Sequence, residues 1–346
     1  MKKWLFITLL FIVNLNAQVT DVITGLEQPA AILLNGNDLY ISEVINTRIG
    51  KIDITQPNPV FEEVVNGLNG TAALLLNGND LYIAEGNGDK ISKIDISNPS
   101  PVLIDVITGI TRVSGLALIG NSLYCSSFEP GSIYSIDISV NPPIAETYTY
   151  GLDLPANMLF IGNELYISEF GADKIIKFDT TDPNPVPVDV VGGLVGPFNL
   201  IREGNYIYVA NFSGGSISRF NFTLTNPTLQ QVTTDVISPY GLAIDGNDLY
   251  ISELTPGKIS KFDLSTLDIP VFNASEEIVL YPNPSEDGFQ LTGITEETAY
   301  TIVSISGQIV ASGKVLSEEK IITENLSSGL YFIKLEDGQV LRFLEK

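Results

Sequence analysis

The sequence repeats itself with a period of 42 residues. The repeated element is a variant of Gly-Asn-Asp-Leu-Tyr-Ile-Ser-Glu, and its tyrosine recurs at six evenly spaced positions: Tyr40, Tyr82, Tyr124, Tyr166, Tyr208 and Tyr250. Equal units of this length, made of short β-patterned runs and turn residues, are typical of propeller blades and not of helical solenoids. The chain is therefore predicted to contain an all-β, six-bladed β-propeller.

Each unit contains four strand-like runs. In the first unit an apolar run at 31–34 is followed by Asn-Gly-Asn, a hairpin signal, and the chain returns through 39–42. Residues 48–54 alternate charged and apolar side chains, and a further run at 60–65 follows a Gln-Pro-Asn-Pro turn. Each blade is thus expected to be a four-stranded sheet.

The sixth unit ends after Leu264 without a fourth strand, so another segment must complete its sheet. Residues 21–26 nearly duplicate residues 105–110, which are a predicted fourth strand two periods later. We therefore expect the segment 21–26 to pair with the strand at 258–264 and to close the ring, which removes exposed sheet edges. The propeller is assigned to residues 18–264.

The amino terminus has the pattern of a secretory signal peptide. Lys2 and Lys3 precede a mostly apolar run at 4–13, and Leu15-Asn16-Ala17 supplies a small-residue cleavage site. The alternative is a membrane anchor, but about ten apolar residues are too few to span a bilayer about 30 Å thick. Residues 1–17 are therefore predicted to be removed, and no transmembrane segment is expected.

The carboxyl-terminal part of the chain differs from the repeats. After a predicted linker at 265–275, the 42-residue period is absent and charges become denser from Glu276. About seven strand-like runs follow within about 70 residues. They predict a small immunoglobulin-like β-sandwich over residues 276–346.

Composition excludes several classes of function. The formal net charge is −23, with 18 basic residues among 41 acidic ones, so no basic stripe is available for a nucleic-acid partner. The chain has no histidine, which removes Ser-His-Asp and Cys-His catalysis and histidine-ligated metal sites. Cys125 is the single cysteine and stands where most units have isoleucine, so a buried apolar role is favoured over a nucleophile.

One repeat resembles a known repeat family. Residues 238–253, Ser-Pro-Tyr-Gly-Leu-Ala-Ile-Asp-Gly-Asn-Asp-Leu-Tyr-Ile-Ser-Glu, resemble the NHL-type repeat of six-bladed propellers, and Asn46-Thr47-Arg48-Ile49 resembles that repeat's Asn-x-Arg-Ile element. The resemblance covers residues 19–264 and implies the propeller fold. It does not imply one function, because such repeats serve many unrelated functions.

The tail resembles the type A C-terminal sorting domain of the type IX secretion system. The matching elements are Tyr-Pro-Asn-Pro, Gly-Phe, Ile-Ser-Gly-Gln, Leu-Ser-Ser-Gly-Leu-Tyr-Phe and a basic last residue. The resemblance implies a Bacteroidota-type bacterium, passage through the periplasm, handling by the type IX machinery, and a secreted protein or one displayed on the outer-membrane surface. It assigns sorting roles to Tyr281, Pro282, Asn283, Pro284, Gly307, Gly329, Tyr331 and Lys346. The alternative is that the prolines and glycines only make turns.

Positions at which the units differ are candidates for function, because positions that are identical in every unit serve the fold. Three residues after each tyrosine the chain has Glu43, Glu85, Ser127, Glu169, Asn211 and Glu253. An interrupted carboxylate ring on the loop side of a propeller is suited to cations or polar ligands. The alternative is that each glutamate pairs with a base on or near the third strand: Arg48, Lys90, Lys174 or Lys258.

One residue further along, three consecutive units carry phenylalanine. The series is Val44, Gly86, Phe128, Phe170, Phe212 and Leu254, and Phe198 and Tyr240 are expected nearby, before the inner strands of the fifth and sixth units. Together these rings predict an aromatic patch suited to a sugar ring or an apolar protein surface. The alternative is that the rings only pack between blades.

Two functions of different classes remain open. The favoured one is a secreted or cell-surface binding scaffold for an extracellular protein or glycan, with no required cofactor. The other is a hydrolase or lactonase similar to gluconolactonase-type propellers, which bind a divalent cation such as Ca²⁺ through carboxylate and amide oxygens; Glu43, Asn157 and Asn199 occupy the corresponding region. No catalytic residue is assigned, and binding is favoured over catalysis because no catalytic constellation is found.

Overall fold

The computed structural model describes residues 19–182, 185–268, 278–292, 294, 297–305, 307–316, 319–336 and 340–346. The chain divides into two compact units, the first ending at Leu267 and the second beginning at Asp268. The predicted signal peptide lies outside the described residues. A 3₁₀ helix, Leu264–Asp268, occupies the start of the predicted linker, and residues 269–277 are outside the described residues.

The described part of the first unit consists of six four-stranded antiparallel sheets. Five of them use four consecutive strands, ordered from the inner strand to the outer one. The first two sheets are β2 (Pro29–Asn35), β3 (Asp38–Glu43), β4 (Arg48–Asp53) and β5 (Glu62–Asn66), then β6 (Thr71–Asn77), β7 (Asp80–Glu85), β8 (Lys90–Asp95) and β9 (Ile104–Thr108).

The next three sheets repeat the same order. They are β10 (Val113–Ile119), β11 (Ser122–Ser127), β12 (Ser132–Asp137) and β13 (Ala145–Tyr150); β14 (Pro155–Ile161), β15 (Glu164–Glu169), β16 (Lys174–Asp179) and β17 (Val188–Gly192); and β18 (Pro197–Glu203), β19 (Tyr206–Asn211), β20 (Ser216–Asn221) and β21 (Gln230–Thr233). The sixth sheet contains β22 (Pro239–Asp245), β23 (Asp248–Glu253), β24 (Lys258–Asp263) and β1 (Thr20–Thr24).

Local sequence accounts for this repeated sheet. The hairpin between the first two strands of every sheet has a glycine with φ between 55° and 62°, a backbone conformation that side chains disfavour: Gly36, Gly78, Gly120, Gly162, Gly204 and Gly246. The second strand is buried on both faces, as in β3, where the adjacent residues Leu39 and Tyr40 point to opposite faces and are both buried. A continuous apolar run fits such a strand, since neighbouring sheets pack on both of its sides.

The amino-terminal strand closes the ring, as predicted. Strand β1 pairs with β24 in antiparallel register, with Thr20 opposite Lys261 and Thr24 opposite Lys258. The inner strands β22 and β2 are in contact, so the sixth sheet also packs against the first. Leu26 lies in a core cluster that joins these two sheets. The closure is therefore confirmed, and the first unit is a propeller-like ring of repeated four-stranded sheets.

The second unit is a β-sandwich, as predicted. One described sheet has the order β25 (Val279–Tyr281), β26 (Gly288–Thr292), β29 (Lys320–Ile322), and the other has β28 (Ile309–Val315), β27 (Thr298–Ser304), β30 (Gly329–Leu335), β31 (Val340–Glu345). Phe289 from the first sheet packs with Ile333 and Phe343 from the second in one buried core. The Tyr331 hydroxyl donates to the Ser327 carbonyl at 2.9 Å, similar to the tyrosine corner of immunoglobulin-like domains.

Candidate functional site

Two loops of every sheet are tied together on one face of the first unit. The residue before each inner strand is in the left-handed region, with φ between 47° and 68°: Gln28, Gly70, Arg112, Leu154, Gly196 and Ser238. Its carbonyl accepts a hydrogen bond of 2.8–3.1 Å from the amide sixteen residues later: Val44, Gly86, Phe128, Phe170, Phe212 and Leu254. This clamp places the lead-in loop before the inner strand beside the loop after the second strand. We call the surface they form the loop face.

The glutamates of the predicted carboxylate ring are buried at the edge of this clamp. Each pairs with a base of its own sheet, at N···O distances from 2.5 to 3.5 Å: Glu43 with Arg48, Glu85 with Lys90, Glu169 with Lys174 and Glu253 with Lys258. Each also accepts a hydrogen bond of 2.6–2.9 Å from the backbone amide sixteen residues earlier. The carboxylates thus hold the lead-in loops in place.

The two sheets without a glutamate have a different arrangement at this position. In the third sheet Ser127 donates to the Thr111 carbonyl. In the fifth, the Asn211 amide donates to Ser216 at 3.1 Å and Ser218 at 2.9 Å. The geometry matches the charge-pairing alternative at all four glutamates, so we assign no ligand to this series of residues.

The five predicted aromatic residues form one continuous cluster on the loop face. Phe128, Phe170, Phe198, Phe212 and Tyr240 contact one another at ring-centroid distances from 4.1 to 6.5 Å, the shortest joining Phe198 and Tyr240. All five are half-buried, neither sealed inside nor fully exposed. We call this cluster the aromatic wall. It includes side chains from four consecutive sheets, the third to the sixth.

A cavity of about 290 Å³ opens beside the aromatic wall. Phe128, Phe198 and Tyr240 line one part of it, and smaller residues such as Ala72 and Gly86 line the part contributed by the other sheets. Phe198 and Tyr240 lie within the inner strands β18 and β22, and not before them as expected, because each strand begins one residue earlier, at a proline. The equivalent inner-strand position is occupied by small residues in the other sheets: Ala30, Ala72, Ser114 and Ala156. The cavity is therefore bounded by large aromatic rings on one side, and the small side chains on the other side leave its volume unfilled.

The polar lining of this cavity was not identified from the sequence. Gln28 and Arg112 come from lead-in loops, Thr71 and Ser114 from inner strands, and Asn87 from the loop after a second strand. Burial raises the pKa of Tyr240, so its hydroxyl is protonated at neutral pH and able to donate a hydrogen bond. The sequence carries a signal for this lining, since Arg112 stands where the second and fifth units have glycine.

The residues proposed for calcium are not gathered around one cavity. Asn157 and Asn199 line a second cavity of about 340 Å³ between the inner strands, and Glu43 is not among its lining residues. The Asn157 Oδ1 atom accepts a hydrogen bond from the Met158 amide at 2.6 Å, and Glu43 binds Arg48. Among the described residues, no group of three or more Asp, Glu or Cys is arranged to hold a metal ion. Calcium binding stays a prediction.

Cys125 is fully buried in the apolar core between the second and third sheets. Burial raises the pKa of its thiol to about 12, so the thiolate is scarce at neutral pH. Its position thus matches the small apolar role expected from the sequence.

The residues of the predicted sorting motif hold the last strand of the second unit. The side-chain amide of Asn283 pairs with the backbone of β31 in the way that a neighbouring strand would. Its Nδ2 donates to the Arg342 carbonyl at 3.2 Å, and its Oδ1 accepts from the Leu344 amide at 3.0 Å. The Ser285 amide donates to the Leu344 carbonyl at 2.8 Å. The Tyr-Pro-Asn-Pro segment is thereby fixed along β31, with cis peptide bonds before Pro282 and Pro284.

The other motif residues lie at turns and strand ends of the same unit. Tyr281 ends β25 with an exposed side chain, Gly307 has φ of 80° in the turn between β27 and β28, and Gly329 begins β30. Lys346 follows β31, and its ammonium lies 3.4 Å from Glu286. The turn-making alternative and a sorting role are therefore compatible for these residues.

The second unit matches a known family. Residues 279–344 match the secretion system C-terminal sorting domain, which is the domain predicted for the tail. The domain indicates export to the cell surface or secretion. In the described part of the chain, no helix has the length and apolar character needed to span a bilayer. No curated protein matches the chain.

Solved structures similar to the chain include propeller-like proteins of diverse activity. An auxiliary nutrient binding protein from Bacteroides thetaiotaomicron is 14% identical, with 70% of this chain and 75% of that one covered and a TM-score of 0.59. The luciferin-regenerating enzyme is 10% identical, with 72% and 95% covered and a TM-score of 0.58. Virginiamycin B lyase from Staphylococcus aureus is 13% identical, with 72% and 99% covered and a TM-score of 0.55. At these identities the likeness establishes the fold alone.

Proposed function

We propose that this chain is an exported binding protein whose propeller-like unit holds one end of a glycan in the loop-face cavity. The sorting domain over residues 279–344 supports the location, since it indicates that the protein leaves the periplasm for the cell surface or the medium. The observation that carries the binding role is the aromatic wall beside an open cavity. We also propose that the repeats are NHL-like and form a six-bladed propeller.

The chemistry of the cavity favours a sugar over other small ligands. Aromatic rings present flat apolar faces on which the C–H face of a sugar ring packs, and Thr71, Asn87 and Ser114 supply hydrogen-bonding groups for hydroxyls around it. The volume of about 290 Å³ lies near the lower end of the range for small-molecule sites, so it suits a single sugar residue. A binding role is also stated in the name of the auxiliary nutrient binding protein.

A glycan panel followed by calorimetry tests this proposal. We expect the Phe198→Ala variant to bind the strongest glycan about five- to thirtyfold more weakly than the parent, because stacking on an aromatic ring contributes on the order of 1–2 kcal/mol. The backbone should tolerate the change, since Ala156 occupies the same inner-strand position in the fourth sheet.

The control is Tyr150→Ala, which removes an exposed aromatic side chain from the outer strand β13. This variant should bind like the parent. The proposal is wrong if no glycan binds, or if Phe198→Ala and Tyr150→Ala bind glycan with the same affinity. It is also wrong if the chain binds a protein ligand whose affinity does not change when residues of the aromatic wall are substituted.

A further inference from the structure

The lining of the loop-face cavity lacks the acidic residues that dominate the composition of the protein. The chain has 41 acidic and 18 basic residues, yet none of the residues that line the cavity is an aspartate or a glutamate. The single charged side chain among them is the arginine at position 112. A site built for a cation would show carboxylate oxygens, so the lining points to a ligand that is neutral or negative.

The backbone of Arg112 is held rigidly. Its amide donates to Asp89 Oδ1 at 2.8 Å, and its carbonyl accepts from the Phe128 amide at 3.0 Å. The guanidinium carbon lies 5.7 Å from the centroid of the Phe128 ring. Arg112 thus projects from a fixed point at the border between the aromatic wall and the small side of the cavity.

The guanidinium group is available to a ligand. The Arg112 side chain is 54% exposed, and its ion pair with Glu129, at 3.5 Å, joins it to a side chain that is 60% exposed. An exposed pair at this distance contributes little free energy, so a better placed anion can displace Glu129. Guanidinium is the side-chain group that binds carboxylate and sulfate through two parallel hydrogen bonds.

The fold itself does not need an arginine at this position. All six equivalent residues adopt the left-handed backbone conformation, and the other five are glutamine, glycine, leucine, glycine and serine. Gln28, with φ of 54°, occupies the equivalent position in the lead-in loop of the first sheet. The identity of the side chain at position 112 can therefore serve a ligand of the cavity without a cost to the backbone conformation.

We propose that the ligand is an acidic glycan, with the carboxylate or sulfate of its terminal sugar bound by Arg112 while the sugar ring packs on the aromatic wall. This inference rests on the proposed glycan-binding function and specifies its ligand. Both anions present the same pair of oxygens to a guanidinium group, so the test includes separate arms for a uronate and a sulfated sugar.

The experiment uses three probes that differ at one carbon: the methyl glycoside of a hexose, its 6-sulfate and the corresponding uronate, each in the gluco and galacto series. Binding to the mature chain is measured by calorimetry at low and high NaCl. We expect at least one anionic probe to bind tenfold or more tightly than the neutral one, with an affinity that falls as salt rises.

Two variants separate this inference from the proposed function. Arg112→Gln copies the residue of the first sheet and should reduce the affinity for the anionic probe to that for the neutral one. Glu129→Gln should leave the affinity for the anionic probe unchanged or raise it, because it removes the competing carboxylate. If neutral and anionic probes bind equally, or Arg112→Gln affects neither, the ligand is not acidic but glycan binding stands. If no probe binds the parent, both proposals fail.

Discussion

Removing residues 19–26 from the mature chain is expected to lower the melting temperature of the first unit by about 10–20 °C. Leu26 is buried, and Val22 and Ile23 pack against the core that joins the first and last sheets. Their burial contributes about 3–6 kcal/mol, and a unit of this size loses about 3 °C per kcal/mol. The deletion also leaves the outer edge of β24 without its partner.

Single substitutions keep this prediction testable if the truncated chain does not fold. Leu26→Ala should cost about 2–4 kcal/mol, because it leaves a cavity in the closing core. Asp21→Asn breaks only the exposed ion pair to Lys258, 2.7 Å long, and should cost at most about 1 kcal/mol. Calorimetry of a chain that begins at Gln18 measures all three. Closure by β1 would be contradicted by a truncated chain that melts cooperatively at the temperature of the parent.

The Glu253→Ala variant should lose about 3 kcal/mol of unfolding free energy. Glu253 is 1% exposed, accepts from the Ile237 amide at 2.7 Å, receives the Ser260 hydroxyl and pairs with Lys258 at 3.3 Å. Removing the carboxylate leaves the Ile237 amide and the Ser260 hydroxyl without this acceptor and Lys258 without its buried partner. Such losses far exceed those of exposed charges.

Two related variants identify the cause of the effect. Glu253→Gln keeps an oxygen for the Ile237 amide and should lose less than Glu253→Ala. The double variant Glu253→Ser with Lys258→Ser copies the residue types at 127 and 132 in the third sheet, and should recover part of the stability lost by Glu253→Ala. Urea unfolding provides the free energies. If the free energy of unfolding of Glu253→Ala lies within about 0.5 kcal/mol of that of the parent, the buried glutamates do not hold the lead-in loops.

The fold could be predicted because the number of repeated units, and the number of strands in each unit, can be counted in the sequence. The even spacing of the tyrosines gives the number of units, and the missing fourth strand after Leu264 identifies the segment that must supply it. The sandwich could be predicted from its strand-like runs and specific motifs. The sequence did not reveal how the Tyr-Pro-Asn-Pro segment would be used, because the pairing of Asn283 with β31 joins residues about 60 positions apart.

The site could be predicted only in part, for a physical reason. A strand-end position such as Glu253 has the same spacing whether its carboxylate points into solvent or back to a base of its own sheet, so the sequence left both alternatives open. The aromatic cluster followed from comparing units, because neighbouring sheets place equivalent residues side by side. The cavity depends on the contrast between Phe198 and its small counterparts across the ring, which needs the three-dimensional arrangement.

A crystal structure of the mature chain soaked with the strongest glycan of the panel, in the presence of CaCl₂, tests the central claim most directly. The account predicts a sugar ring against Phe198 and Tyr240 in the loop-face cavity, with its anionic group at Arg112. Glycan density elsewhere on the unit, or a calcium ion at Glu43, Asn157 and Asn199 with that cavity empty of sugar, would contradict it.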